Sequence, residues 1–173
     1  MCGLTGSILP DILENGLRLV FCGSAAGAAS SRAGAYYAGP GNKFWPILHK
    51  TGLTPHLVAP QKFRDLPDFG IGLTDLAKHA AGSDSSLPLG ADDPPGLLDK
   101  IHRYQPGFLA FNGKRSGAVF LKHLTGVRNV DYGLQDQKIG ATEIYVLPST
   151  SGAANGFWDE APWFALARNA KTV

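Results

Sequence analysis

The chain has 173 residues, 44% of them hydrophobic, enough for one domain with a sizeable core and too apolar for a disordered chain. Sixteen basic against fourteen acidic residues leave a net charge of +2, which excludes a strongly basic or acidic chain but leaves room for a local basic face. Two cysteines, Cys2 and Cys22, make neither a disulfide framework nor a four-thiolate cluster, no apolar run approaches a membrane span, and no basic-then-apolar signal pattern opens the chain, so a reduced cytoplasmic protein is expected, with a monomer as the default.

Residues 9–13 read as a short lead-in, with Pro10 starting a turn of helix that Glu14-Asn15-Gly16 stops. Residues 19–23 fit a buried strand, and a run of small residues, 23–29, follows at once. A loop then runs through Ser30, Ser31 and Arg32 to Gly41. Asn42 is placed to cap a helix over residues 43–50, ended by Gly52, with Phe44, Ile47 and Leu48 on its apolar face. Residues 54–69 form a connector broken by Pro55, Pro60 and Pro67, and 71–74 a short extended piece. Residues 75–81 read as one or two helical turns, and 82–95 as a surface loop rich in Gly, Ser, Asp and Pro. A helix over 97–104 buries Leu97, Leu98 and Ile101. A second buried strand covers 108–112, and Gly113-Lys114 opens a helix over 115–124 that Gly126 ends. Residues 127–138 read as irregular and 141–147 as a third strand. A second loop of small residues, 148–155, leads to a closing helix that begins near Pro162.

Strands alternating with helices imply an α/β fold with a largely parallel sheet covered on both faces. The three strands end in loops of small and polar residues: 23–27, Asn112-Gly113-Lys114, and 148–152. All three would lie on one edge of such a sheet, where ligands of open α/β folds bind. Small residues there let a ligand reach backbone N–H groups. There is no case for a metal, because His49, His56, His79, His102 and His123 form no ligand-spaced pair with each other or with Cys.

At five places the residues also carry a family likeness: Leu17-Arg18-Leu19-Val20-Phe21-Cys22-Gly23, Asn42-Lys43-Phe44-Trp45, Gly72-Leu73-Thr74-Asp75, Phe111-Asn112-Gly113-Lys114, and Val146-Leu147-Pro148-Ser149 with Ser151-Gly152. In this order and at these separations the chain resembles the mismatch-specific uracil-DNA glycosylase and thymine-DNA glycosylase family, within the uracil-DNA glycosylase superfamily. The resemblance covers nearly the whole chain and implies one domain over residues 1–173, a three-layer α/β/α sandwich around a short, mainly parallel sheet. It implies a DNA glycosylase of base-excision repair, acting on double-stranded DNA that contains a damaged or mismatched base, with no cofactor. No lysine stands out as a Schiff-base nucleophile, so a monofunctional enzyme that leaves an abasic site is expected.

Two departures from the family pattern matter. Its first motif usually reads Gly-Ile-Asn-Pro-Gly, whereas here it is Gly23-Ser24-Ala25-Ala26-Gly27. Ala25 therefore stands where the family has the Asn that helps to position the attacking water, and a methyl group cannot hydrogen-bond. The second loop of the family carries a wedge residue and an Arg that fill the gap left by the extruded base, and here it reads Gly152-Ala153-Ala154-Asn155. A Deinococcus-type subset also lacks the Asn, and in it an Asp after a Gly-x-Thr segment does the catalytic work. Asp75 matches that position.

The resemblance thus assigns catalysis to Asp75, which would deprotonate water and stabilise a sugar cation. A helix cap, or a pair with Lys78 three residues on, is the plain structural alternative. Tyr37 would stack on the flipped base, with Ser24, Ala25, Gly27 and Asn112 around it. Ser30, Lys114, Ser151, Gly152, Ala153 and Asn155 would contact the DNA backbone. The small Ala25 and Ala26 suggest tolerance among deaminated bases, with uracil first and hypoxanthine after it. Two other functions compete. A catalytically silent lesion-binding module is supported by Ala25. A Rossmann-type nucleotide binder lacks the Gly-x-Gly-x-x-Gly spacing and the acidic ribose partner.

Overall fold

The structure, a computed structural model, describes residues 6–171; Cys2 lies outside them. Apolar runs of five residues make β1 (Leu19–Gly23), β2 (Ile71–Asp75) and β3 (Phe108–Asn112), each buried along its whole length, as strands covered on both faces must be. With β4 (Gly133–Ile139) and β5 (Thr142–Leu147) they form a five-stranded sheet in the order β2-β1-β3-β5-β4. All pairings are parallel except β4 with β5.

Alternation along the strands feeds two cores. Leu19, Phe21, Leu73, Ala110, Tyr145 and Leu147 face one core, closed by α2 (Phe44–Lys50) and α5 (Ala161–Ala170) through Phe44 and Trp163. Val20, Cys22, Leu109, Phe111, Ile144 and Val146 face the other, closed by α3 (Pro94–Tyr104) and α4 (Lys114–Thr125). The fold is therefore the expected three-layer sandwich.

Five local expectations are corrected. The lead-in is not helical; Ile12 bridges antiparallel to Leu73 at the edge of the sheet. Residues 28–33, read as loop, form the short helix α1 (Ala28–Ala33). Residues 75–81 contain no helix, because Asp75 is the last residue of β2, paired with Gly23. Residues 60–69, read as connector, wind into a 3₁₀ helix. Residues 127–138 are not wholly irregular, since Gly133–Ile139 is the edge strand β4. Its polar sequence hid it: only alternate residues are partly covered, as suits a strand with one neighbour.

Chain order and sheet order part company at β1, which runs on to β2 on one side and has β3 on the other. That topological switch point opens a crevice past the carboxyl ends of β1 and β3. No helix among the described residues is long and apolar enough to cross a membrane.

Candidate active site

A cleft of about 700 Å³ occupies that crevice. It is lined by Gly23, Ser24 and Ala25 at the end of β1, by Tyr37, by Asn112 and by the loop after β5. The loop after β1 is tied down by its carbonyls. Leu76 N donates to Gly23 O at 2.8 Å, Ala77 N to Ser24 O at 2.7 Å, and Gly82 N to Ala26 O at 2.9 Å.

Asp75, the strand partner of Gly23, is not itself among the residues lining the cleft and is 5% exposed. It continues the row of Ile71 and Leu73 on β2, and a strand's period of two sends its side chain out on their face of the sheet. A Cβ at Gly23 would stand 2.7 Å from Asp75 Oδ1 and 3.1 Å from the Tyr37 hydroxyl. The absence of a Cβ at Gly23 thus lets the carboxylate lie against a residue that lines the cleft. Burial pushes the Asp75 carboxyl up from 3.8 to about 6, against the pull of the Lys78 ammonium. Lys78 Nζ is 3.9 Å from Asp75 Oδ2, so the alternative pairing exists only as a long contact.

Tyr37 has φ +52, an uncommon conformation for a residue other than glycine. Its ring lies 4.1 Å from that of Phe44, centroid to centroid, and so has a fixed backing. Its hydroxyl is buried beside Gly23, with the Asn112 side chain as its polar neighbour. Burial and the nearby Asp75 push its ionisation well up, which keeps it a neutral donor.

The remaining predicted residues divide into three groups. Ser24, Ala25, Gly27, Ser30, Asn112, Ser151, Gly152 and Ala153 are all brought to the cleft. Several of their polar groups are already engaged. Ser30 Oγ accepts from Ala38 N at 3.1 Å, and Asn112 pairs reciprocally with Thr150, accepting from its N at 3.0 Å and donating to its Oγ1 at 2.9 Å. Arg115, held by Asp92 at 2.7 Å, reaches Ser24 Oγ at 3.5 Å. Asn155 lies at the rim, where its Oδ1 accepts from Lys43 Nζ. Lys114 is not brought to the cleft; it is exposed, with Nζ 4.6 Å from the centre of the Tyr132 ring.

Two features escaped the sequence reading. Phe157 lines the mouth of the cleft and is 75% exposed. An aromatic pair, Phe157-Trp158, directly after a loop of small residues was the available signal. The second is the charged group behind Asp75, in which Lys78 meets Asp11 at 3.0 Å. Asp11 is 64 residues from Asp75 in the chain, so no local pattern could reveal it. Among the described residues no group of three or more His, Cys, Asp or Glu could hold a metal ion.

The sequence pattern of the uracil DNA glycosylase superfamily matches residues 10–171. Among solved structures, the chain is similar to the solution NMR structure of a candidate uracil DNA glycosylase from Methanosarcina acetivorans. The two share 26% sequence identity and a TM-score of 0.64, over 94% of this chain and 96% of that one.

Proposed function

The chain belongs to the uracil DNA glycosylase superfamily, and from that premise we propose that it is a monofunctional DNA glycosylase in which Asp75 does the work of the missing motif-one amide, as in the Deinococcus-type subset. Its substrate is double-stranded DNA with a deaminated or mismatched base, uracil first and hypoxanthine after it. The observation that supports this reading is the position of Asp75: a carboxylate at a strand end, lying against Gly23, a cleft-lining residue that has no Cβ.

The target base leaves the duplex and enters the cleft, and mispaired bases are cheapest to extrude. The exposed side of Tyr37 stacks on it, while backbone groups around Ser24 and Ala25 read its edge. The C1′–N bond breaks with its electron pair going to the base, and the sugar becomes oxocarbenium-like. Ionised Asp75 stabilises that cation and takes a proton from the water whose oxygen bonds to C1′. The products are a free base and an abasic site. A pKa of about 6 suits this task, because the group is ionised at pH 7 yet more basic than an ordinary carboxylate.

Ser151, Gly152 and Ala153 meet the DNA backbone beside the flipped nucleotide. Phe157 provides the bulk that Ala153 lacks, filling the space the base vacates; apolar wedges between base steps are a common device of DNA-bending proteins. Lys43, held by Asn155 at the rim, supplies a cation for phosphate.

The test is a panel of duplexes, each with one damaged base, assayed for base release and for alkali-sensitive strand cleavage. Wild type releases uracil, and Asp75→Asn does not. Retention of lesion DNA in a gel shift with no base released from uracil, hypoxanthine, xanthine or ethenocytosine duplexes would instead establish the silent lesion binder that Ala25 favours.

A further inference from the structure

Behind Asp75 lies a set of charges supplied by a part of the chain remote from the cleft. Residues 8–12 run along the outer edge of β2. Ile12 N donates to Leu73 O at 2.9 Å, Leu73 N to Ile12 O at 3.0 Å, and Ile8 N to Lys78 O at 2.8 Å. Gly72 permits this approach, since a Cβ there would stand 2.5 Å from the Ile12 carbonyl oxygen. The segment delivers Asp11 to the back of the site. Asp11 Oδ1 accepts from Thr74 Oγ1 at 2.7 Å, its Oδ2 meets Lys100 Nζ of α3 at 2.7 Å, and its Oδ1 meets Lys78 Nζ at 3.0 Å.

Lys78 is 9% exposed, which is rare for a lysine without partners. Its Nζ donates to the Tyr36 hydroxyl at 3.0 Å and stands 3.0 Å from Asp11, but 3.9 Å from Asp75. One ammonium thus serves two carboxylates, and the one without a catalytic position has the closer contact. Thr74, Lys100 and the strand-edge pairing fix Asp11, so this unequal division is built into the backbone.

We infer that Asp11 and Lys78 are positioning residues for Asp75: Asp11 holds the Lys78 ammonium back from a close ion pair with Asp75, which keeps the buried carboxylate available to accept a proton. The inference rests on the reading of Asp75 as the base. A carboxylate locked to an ammonium at hydrogen-bond distance is a weak base, and a buried one with no cation near it stays protonated at neutral pH. The observed spacing lies between these failures. The other titratable groups facing Asp75 do not substitute for either partner. Tyr36, Tyr37 and Cys22 are kept neutral, first by burial and then by the carboxylates. Lys100 acts on Asp75 more weakly than Lys78 does.

The two residues therefore act with opposite sign. In Asp11→Asn the ammonium is released toward Asp75, and Asp75 titrates lower. In Lys78→Met Asp75 loses its nearest cation while Asp11 stays anionic, and Asp75 titrates higher. Each shift is about one pH unit, the scale set by one neighbouring charge. Lys78→Arg keeps the charge and stays within a few tenths of wild type.

The experiment is a carbon-13 NMR titration of the aspartate side chains, with the Asp75 signal assigned by its loss in Asp75→Asn, run beside the acid limb of kcat/KM on a uracil duplex. Opposite shifts in both readouts are the expected result; at pH 6 the Lys78→Met rate falls about fivefold from loss of the ionised form. Unmoved titration, or movement in the same direction for both variants, overturns the inference, even if both variants melt early. If Lys78→Met does not fold, a missing downward shift in Asp11→Asn overturns it alone. If wild type releases no base from any duplex, the functional reading fails while the NMR titration still decides the charge arrangement.

Discussion

The two ends of the cleft are built on opposite plans. At the β1–β2 end the charges are buried: Asp75 is 5% exposed, lies against Gly23, and is backed by Lys78, Asp11 and Lys100. At the β3–β5 end the walls are neutral and small, and the loop that follows carries an exposed Phe157. The β3–β5 end is held by local devices, such as the reciprocal Asn112–Thr150 bonds and the Ser151 hydroxyl accepting from Ala153 N at 3.3 Å. On the proposed function, the difference separates two tasks. Proton transfer gains from a dry, preorganised charge, because interactions with it are strong at low dielectric. Gripping a polymer of varied sequence gains from an accessible surface that a long ligand can enter.

This contrast predicts unequal sensitivities. The largest effect belongs to Asp75→Asn, which lowers base release by about 10²–10⁴-fold, the usual range for a positioned base. Its stability changes the other way. Burial raises the folded-state pKa of Asp75 from 3.8 to about 6, so the folded state binds the proton more tightly than the unfolded chain. The stability this group contributes is complete below the unfolded value and is lost as pH rises through about 6. Removing the charge therefore raises the melting temperature at pH 7 to 8, and leaves it nearly unchanged at pH 4, as calorimetry at both pH values would show. A variant that is inactive and less stable at pH 8 would break the comparison.

Gly23→Ala comes next. Its methyl would lie 2.7 Å from Asp75 Oδ1, so either the carboxylate or the end of β1 must move. A displacement of that kind costs about 10²-fold in kcat, with lesion-DNA binding in a gel shift largely kept. Phe157→Ala gives the smallest effect, about tenfold in kcat/KM on duplex substrate, the scale of one lost stacking contact. The pH profile of this variant keeps its acid limb near 6, and base release from a single-stranded substrate stays almost as in wild type. An altered acid limb in Phe157→Ala would show that the two ends are not separate.

Much of this arrangement was legible in the chain, for reasons that differ from element to element. The strands expected over 19–23, 108–112 and 141–147 announced themselves as apolar runs followed by loops of Gly, Ser or Asn, and the parallel pairing of β1, β3 and β5 sets these ends along one edge of the sheet. The helix expected over residues 75–81 failed because Asp, Leu, Ala and Lys suit a helix locally, whereas pairing of Asp75 with Gly23 keeps the chain extended one residue further. Strand β4 was hidden because an edge strand needs few apolar residues. Phe157 was passed over because exposure cannot be read from residue type.

The sequence by itself determined the α/β class and the crevice edge, since periodicity and small-residue loops are properties of neighbours along the chain, while the resemblance of its motif singled out Asp75 for the proposed role. Tertiary structure alone decided how that carboxylate is charged. Asp11, Lys78 and Lys100 come from three separate segments and meet only because residues 8–12 pair with the edge of β2 and α3 packs beside it. Electrostatic interaction depends on distance through space and on exclusion of water, and neither is written in any local run of residues.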